Sequence, residues 1–529
     1  MRVILINPFY PISETPSPPL GLAFLAAALE RAGVEVQVLD LVVFPYTKGL
    51  LERVLTRFQP DMVGATSVTM TFDHGISVLN DVKDIDPAIV TVMGGPHVTF
   101  RAEKTLREYP ALDVVALGEG DRTIVDLARA AQNGKTWGEV KGVVYRDGDD
   151  IRRTPPRDRL EDMNSLPVPA RHLLPLGRYR SLAMPISMTT SRGCPFQCIF
   201  CVGRKMVGAK VRYRDPNAVV DELEELIRFG FHQINIADDL FTANPRHCIA
   251  VCDGILERGL DVKWAAFARV DTVTREVLTK MKEGGCQTVS FGVESANREI
   301  LRRIRKGITT DQVIRAVQMC ADAGIQAHVS FILGLPGETP ETMDETARFG
   351  ETIKSMGAIY GYHLLAPFPG TEVREKSAEL GINILTDDWR DYHANRAIVE
   401  TDHVSRAMLD AVAIEWEQEF DQWLEYIKVL RERGQAAEDD AWQLTRLEHT
   451  VLIYDLMMEE MLEKWGSWKN GSDPMSRDAD LETLAERLAS ATNQTRDQVV
   501  STLNYASDRD FLEYESNRGR VKWRWVDYL

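Results

Sequence analysis

Cysteine is scarce in this chain of 529 residues: there are seven, and none among the first 193. That scarcity excludes a disulfide framework and points to a reduced, cytoplasmic compartment. Long apolar runs are absent too. No stretch of about 18 apolar residues occurs, so no membrane span is expected. The opening Met1-Arg2-Val3-Ile4-Leu5-Ile6-Asn7-Pro8 lacks the basic flank and long apolar segment of a signal peptide and reads as a buried strand. Positive charge is in short supply: 62 Lys and Arg stand against 79 Asp and Glu, a formal net charge of −17. That balance argues against non-specific nucleic-acid binding. The densest basic cluster, Arg302, Arg303, Arg305 and Lys306, is expected as a solvated helix end, with anion binding as the alternative.

What is present is ordinary globular composition, 44% apolar and 27% charged, in a chain too long for one core. Short apolar runs at 3–6, 34–39, 62–66, 89–93 and 114–117 alternate with amphipathic stretches at 22–31, 50–58 and 76–85. This is the pattern of a parallel sheet flanked by helices. The strand ends carry small and polar residues: Asn7-Pro8, Ser67-Val68-Thr69, Gly94-Gly95-Pro96-His97 and Gly118-Glu119-Gly120. Ligands of open parallel sheets sit at such carboxyl ends, and glycines there admit close backbone approach.

A hairpin is expected over 141–153 around Asp147-Gly148, followed by a linker rich in proline and charge. A second β-α series starts near 185–189 and continues with strands at 234–237, 263–267, 288–292, 327–333 and 360–366. A helix is expected at 218–228, capped by Asp215, with Pro216 in its first turn and Gly230 at its end. Beyond about residue 400 the pattern turns helical, with Trp416, Trp423 and Tyr426 expected as core more than as a cofactor box. The expected division is 1–150, a linker 151–180, 181–400 and a mainly helical 401–529.

The most informative segment is Ser191-Arg192-Gly193-Cys194-Pro195-Phe196-Gln197-Cys198-Ile199-Phe200-Cys201. A structural zinc site or a simple ferredoxin cluster takes four protein ligands. Here only three thiolates lie close together, and the next cysteine is Cys248. Three thiolates cover three corners of a four-iron cube and leave one iron open. The competing readings are buried thiols, or a zinc site completed by a distant histidine. Glycine and proline around the triplet favour a loop that wraps a metal. Cys248, Cys252, Cys286 and Cys320 are scattered and are expected as core thiols.

With Phe200 before its last cysteine, the triplet resembles the radical S-adenosylmethionine (SAM) enzymes. That resemblance implies a partial (β/α)6 barrel, a [4Fe-4S] cluster on Cys194, Cys198 and Cys201, and SAM held at the open iron. It implies that Phe200 packs near the adenine and that Glu294 and Ser295, in Phe291-Gly292-Val293-Glu294-Ser295, make polar contacts with SAM. For Glu294 a buried salt bridge is the alternative. Asp238, followed by Asp239, hydrogen-bonds SAM or substrate, or caps the next helix. Arg269 pairs with SAM's carboxylate unless Asp271 takes it. Gly334-Leu335-Pro336-Gly337-Glu338-Thr339 is expected as loop scaffolding first and a ligand contact second. Pro367-Phe368-Pro369-Gly370-Thr371 closes the last barrel strand.

The N-terminal part resembles the Rossmann-like cobalamin-binding domain that precedes many radical SAM modules. Its position, strand order and the segments Pro19-Leu20-Gly21, Gly94-Gly95-Pro96-His97 and Gly118-Glu119-Gly120 carry the likeness. It implies cobalamin contacts from Ser67, Thr69, Gly94, Gly95, His97, Gly118 and Glu119. The Asp-x-His-x-x-Gly motif of histidine-ligating carriers is missing, and Asp73-His74-Gly75 has the wrong spacing. His97 is therefore expected to pack or hydrogen-bond within its loop, and cobalt to lack a histidine below it. A Rossmann-like domain without ligand is the alternative. Methylthiotransferases, which carry a second cysteine triplet ahead of the first, are excluded by the cysteine-free first 193 residues.

Over residues 1–400 the chain is similar to class B radical SAM methyltransferases and to the anaerobic magnesium-protoporphyrin ester oxidative cyclases. The leading implied activity is methylation of an unactivated carbon via methylcobalamin and a 5′-deoxyadenosyl radical. Radical cyclisation or ring formation is the runner-up, and a non-catalytic cobalamin or redox sensor the third. The resemblance further implies oxygen sensitivity, an electron donor such as flavodoxin or ferredoxin, and a small-molecule or peptide substrate chosen by the C-terminal region.

Overall fold

The inner N-terminal strands are apolar runs buried on both faces, as a helix-covered parallel sheet requires. The parallel strands are β1 (Arg2–Asn7), β2 (Glu35–Asp40), β3 (Met62–Thr66), β4 (Val90–Gly94) and β5 (Val114–Ala116). The edge strand β2 alternates polar and apolar residues at its start. The hairpin β6 (Val143–Asp147) and β7 (Asp150–Arg153) extends them antiparallel, in the order β2-β1-β3-β4-β5-β6-β7. The computed structural model describes all residues except 12–14, 135, 394, 470–475 and 518, and the side chain of Asp439.

The second sheet is wholly parallel: β8 (Ile186–Met188), β11 (Gln233–Ile236), β12 (Lys263–Ala268), β13 (Cys286–Glu294), β14 (Gln326–Leu333) and β15 (Ile359–Leu364). Its order, β15-β14-β13-β12-β11-β8, follows the sequence and leaves β8 and β15 as edges, which makes a partial (β/α)6 barrel. Between its first two strands, β9 (Ser191–Arg192) and β10 (Arg212–Tyr213) pair antiparallel and bracket the cysteine loop. The helix Pro216–Arg228 starts as its capping residues dictate. Asp215 accepts the Asn217 amide, proline fills the first turn, and Gly230 turns away at φ +82.

The segment between the sheets is firmly packed in its second half. Arg171 and Glu222 meet at 2.5 Å with both side chains fully buried, and Arg214 adds a second cation to Glu222 at 2.6 Å. Tyr179 donates to Asp40 at the end of β2 (2.8 Å).

After an antiparallel pair, β16 (Ile382–Ile384) and β17 (Val399–Thr401), the chain is mainly helical. It also forms a small antiparallel sheet of β18 (Ser467–Lys469), β20 (Arg520–Trp525) and β19 (Leu512–Asn517). One expectation fails here. Trp416, Trp423 and Tyr426 are not core, and Tyr426 is 60% exposed. Their helix, Arg406–Glu432, buries only Leu409 and Ile427, so its aromatic side lacks a covering layer. Trp416 alone leans on Tyr360 and Tyr362 of β15, with ring centres 5.5 and 5.6 Å away. Among the described residues no helix is long and apolar enough to cross a membrane.

Candidate active site

The cysteine loop leaves β9 at Gly193, whose φ of +126 suits glycine. A side chain there would collide with the Lys210 carbonyl. Within the loop, Cys194 N donates to Gly208 O (3.0 Å) and Cys201 N to Cys198 O (3.2 Å). Ile199 pins the middle of the loop on both sides: its amide donates to Ile304 O (3.2 Å) and its carbonyl accepts from Val373 N (3.1 Å). Cys194 and Cys198 are half-buried and Cys201 exposed, whereas Cys248, Cys252, Cys286 and Cys320 are buried in the core. Desolvation of the sulfur raises the thiol pKa of half-buried Cys198 and also of Cys201, whose sulfur is sheltered although the residue as a whole is exposed; Cys201 also feels the charges of Cys198 and Cys194.

Asp238 is buried and accepts from Thr190 N (2.6 Å), Thr190 Oγ1 (2.6 Å) and Ser191 Oγ (2.7 Å). Desolvation raises its pKa, and these hydrogen bonds oppose the rise. Asp239 accepts the Gly193 amide at 3.0 Å. The two carboxyls therefore grip the strand that enters the cysteine loop.

On the barrel side, Glu294 sits at φ +73 at the end of β13, with its carboxylate 2.7 Å from Lys306 Nζ and both groups buried. A side chain at Gly292 would run into this pair. Lys306 Nζ lies 5.8 Å from the Phe200 ring centre. Arg269 is bidentate to Asp271 (2.9 and 3.0 Å), donates to Lys306 O (2.7 Å) and stacks 3.5 Å over Phe196. Phe200, Arg269, Glu294 and Lys306 thus form one cluster beside the cysteine loop. Ser295 is fully buried and turned toward the helices, accepting Asn297 N (3.1 Å) and lying 3.4 Å from Thr346 Oγ1.

The strand-end loops of the first sheet are joined to one another. A side chain at Gly95, φ +109, would collide with the Ser67 carbonyl, which also accepts the His97 amide (3.3 Å). Thr99 Oγ1 donates to Gly95 O (2.8 Å) and accepts Gly118 N (3.1 Å). His97 is buried, stacked on Phe72 (4.2 Å) with the edge of Trp389 at 4.8 Å, and Nδ1 lies 3.4 Å from Thr69 Oγ1. Burial, reinforced by Arg101 and Arg374, lowers its pKa to about 3, so the ring is neutral. Glu119 is engaged by Arg212 (3.0 and 2.8 Å) and Asp121 by Arg192 (2.7 Å), which ties this loop to β9 and β10 around the cysteines.

Three cavities open at these strand ends, the largest, of about 640 Å³, between Thr99, Gly118, Glu119, Arg159 and Lys205. One of about 210 Å³ runs between Leu5, Gly64, Gly94, Gly95, Gly118 and Ile124, and one of about 420 Å³ lies between Asn7, Ser17, Thr69, Met70 and Phe368. Sequence reasoning missed Lys306, hidden in the basic cluster, as well as Arg192, Arg212 and Glu338. Glu338 is buried and accepts the Gly334 (2.6 Å) and Leu335 (3.3 Å) amides; its second oxygen has no partner among the described residues. An acid inside a glycine-rich loop was the one visible signal for it.

The family model of the radical SAM superfamily matches residues 188–350, and that of the B12 binding domain residues 13–128. An uncharacterised methyltransferase of Pyrococcus horikoshii is 36% identical over 411 residues, covering 76% of this chain and 88% of that one. The anaerobic magnesium-protoporphyrin IX monomethyl ester cyclase of Rubrivivax gelatinosus is 30% identical over 430 residues, covering 78% and 76%. In fold, the chain is similar to the cobalamin-dependent SAM radical enzyme OxsB (TM-score 0.68, 18% identity, 96% of this chain and 79% of that one). It is also similar to the radical SAM methyltransferase TsrM from Kitasatospora setae (TM-score 0.64, 18% identity, 88% and 98%). A barrel with an open three-cysteine loop, preceded by a B12-binding sheet, defines the class: the chain belongs to the radical SAM superfamily, in the branch that carries a B12-binding domain. It is an enzyme whose cofactors are a [4Fe-4S] cluster, SAM and cobalamin.

The residues present fit these groups. The three cysteines are free thiols on one loop. Among the described residues no three His, Cys, Asp or Glu side chains converge on a single ion, and a cubane does not ask for that, since each thiolate takes a separate iron. The cleft at the strand ends is lined by Gly21, Gly64, Gly94, Gly95, Gly118 and Gly120, and it lies where open α/β sheets take ligands.

Proposed function

We propose that this enzyme methylates an unactivated carbon of a small-molecule or peptide substrate, in the cytoplasm and in the absence of oxygen. When bound, the cluster supplies the electron that cleaves SAM, and cobalamin supplies the carrier of the methyl group. Cys194, Cys198 and Cys201 hold the cluster. Lys306 places positive charge beside the cysteine loop for SAM's carboxylate, Glu294 orients Lys306, and Phe200 packs near the adenine; Arg269, taken by Asp271, braces the loop through Phe196 and the Lys306 carbonyl. Asp238 and Asp239 act through the cysteine loop as positioning residues. Ser67, Thr69, Gly94, Gly95 and Gly118 shape the cobalamin cleft, with His97 packing beneath its loop and Glu119 fastening that loop to the barrel. The barrel and its preceding domain, 1–150 and 181–400, share this work across the 151–180 segment, and the region 401–529 selects substrate.

The observation that carries this is the clasp between the two halves: Arg192 and Arg212, flanking the cysteine loop, hold Asp121 and Glu119 at the strand ends of the B12-binding sheet. It brings the cofactor faces of both domains toward one space. The cyclase relative at 30% identity supports ring formation as the second reading. Anaerobic reconstitution with iron, sulfide and hydroxocobalamin is expected to give about four irons and about one cobalt per chain. Reaction with SAM carrying a deuterated methyl group then separates the two: methyl label in the product supports methylation, and an unmethylated ring product sinks it.

A further inference from the structure

The helix Arg406–Glu432 sets carboxylates beside aromatic rings in the run Glu415-Trp416-Glu417-Gln418-Glu419-Phe420. Glu415 and Glu419 stand one turn apart on one face, an arrangement in which like charges repel. Neither meets a cation at ion-pair distance among the described residues, and both border a cavity of about 510 Å³. The cavity lies on the helix-covered face of the edge strand β15, between this helix and the helix Pro340–Ser355.

Its walls are aromatic. Tyr360 and Tyr362, two residues apart on β15, point to the same face. Their ring centres are 5.7 Å apart at an interplanar angle of 82°, and Trp416 stands 5.6 Å from Tyr362 at 80°. Buried Phe331 backs both tyrosines at 6.2 and 5.9 Å. Gly350 makes room for Tyr360, whose ring a side chain there would strike. Glu351 accepts the Tyr360 hydroxyl at 2.5 Å. Desolvation raises the Tyr362 phenol pKa to about 12 against the Tyr360 hydrogen bond, and the charges of Glu351, Glu415 and Glu419 add to the rise. The chain's own cations stop at the rim. Arg348 pairs with Asp344 at 2.7 Å, and Lys354 with Glu351 at 3.7 Å, 6.0 Å from the Tyr360 ring centre.

We propose that this cavity is a binding site for an organic cation, an alkylated ammonium or a guanidinium, separate from the cysteine loop and from the cavities of the first sheet. Three rings set at steep angles to one another present negative π faces to a weakly hydrated cation, and the two uncompensated carboxylates balance its charge. The repulsion between Glu415 and Glu419 falls when the cation enters, which adds to the binding. A hard metal ion asks for several oxygens converging on one point, and among the described residues no three acidic side chains converge so. The volume suits a small molecule or one side chain with its backbone.

The test is calorimetric titration of the reconstituted full-length enzyme with choline and with 3,3-dimethylbutanol, which has the same shape and no charge. Choline is expected to bind roughly tenfold more tightly than the alcohol, or better. Trp416→Leu is expected to weaken choline binding roughly fivefold, as is the double variant Glu415→Gln with Glu419→Gln. All three side chains are exposed on the helix surface, and iron and cobalt contents equal to the wild type verify that the variants fold. N-acetyl-arginine methylamide, titrated alongside, separates the sources of the cation. Tighter binding than choline marks a peptide side chain as the occupant, and weaker binding marks a free ammonium compound. Equal affinity for choline and the alcohol overturns the cation site and leaves an apolar cleft. Choline affinity untouched by both variants, or no binding of either cation, overturns it as well.

Discussion

At the scale of the residue, Glu338 shows how burial turns an ordinary acid into a group that titrates near neutrality. Two amide hydrogen bonds favour its charged form, yet desolvation outweighs them and lifts its pKa to about 7 from 4.5. Folding therefore takes up a proton between these values. The stability tied to the protonated form is complete below pH 4.5 and is lost as pH rises through 7. At about 1.4 kcal/mol per pH unit the rise is worth roughly 3 kcal/mol. Glu338→Gln keeps an oxygen for the Gly334 and Leu335 amides and carries no charge. Urea unfolding of the two proteins is expected to agree near pH 4.5 and to favour the variant progressively up to pH 8. Parallel curves across that range would show that Glu338 keeps an ordinary pKa.

At the scale of the element, the strand-end loops depend on backbone that only glycine supplies. Gly95 combines φ +109 with an approach to the Ser67 carbonyl that leaves no room for a methyl group. Gly95→Ala is expected to cost roughly 1–3 kcal/mol in unfolding free energy. It should also release cobalamin on gel filtration, because the Ser67 loop must move. Unchanged stability with full cobalt content would sink the steric account. This loop was legible in the sequence because glycine, proline and histidine follow a buried apolar run. The parallel strands and the Asp215 cap were legible for the same reason: local pattern and local structure coincide. Pairings set by tertiary approach were not. Glu119 meets Arg212 from 93 residues away and Asp121 meets Arg192 from 71, and no periodicity announces either partner. Lys306 looked like one of four surface cations until the turn after Arg305, at φ +56, aimed it inward. The aromatic residues of Arg406–Glu432 misled in the other direction, since a tryptophan's large apolar area invites burial that no neighbouring element provides.

At the scale of the whole molecule, one side chain joins three parts of the chain. Arg178, 3% exposed, donates to Val43 O after β2 (2.8 Å), to Glu463 (2.9 Å) and to Asp527 near the C-terminus (2.6 Å), and its guanidinium lies 3.9 Å over Phe44. Next to it, Gly177 N donates to Asp527 O (3.0 Å), and a side chain at Gly177 would collide with the Val526 carbonyl. The C-terminal strand is therefore docked on the segment that joins the two sheets. Arg178→Ala leaves the Val43 carbonyl without its donor and two part-exposed carboxylates without their cation, a loss of roughly 1–3 kcal/mol. Because the planar guanidinium serves three acceptors in different directions, Arg178→Lys should recover only part of the loss. Limited proteolysis reports where the loss falls. Cleavage is expected within 512–529 in the alanine variant, well before the barrel is cut, and to slow in the lysine variant. A C-terminal strand that resists protease equally in all three proteins would mean that the apolar contacts of β20 hold it, and that Arg178 joins nothing that is not already joined.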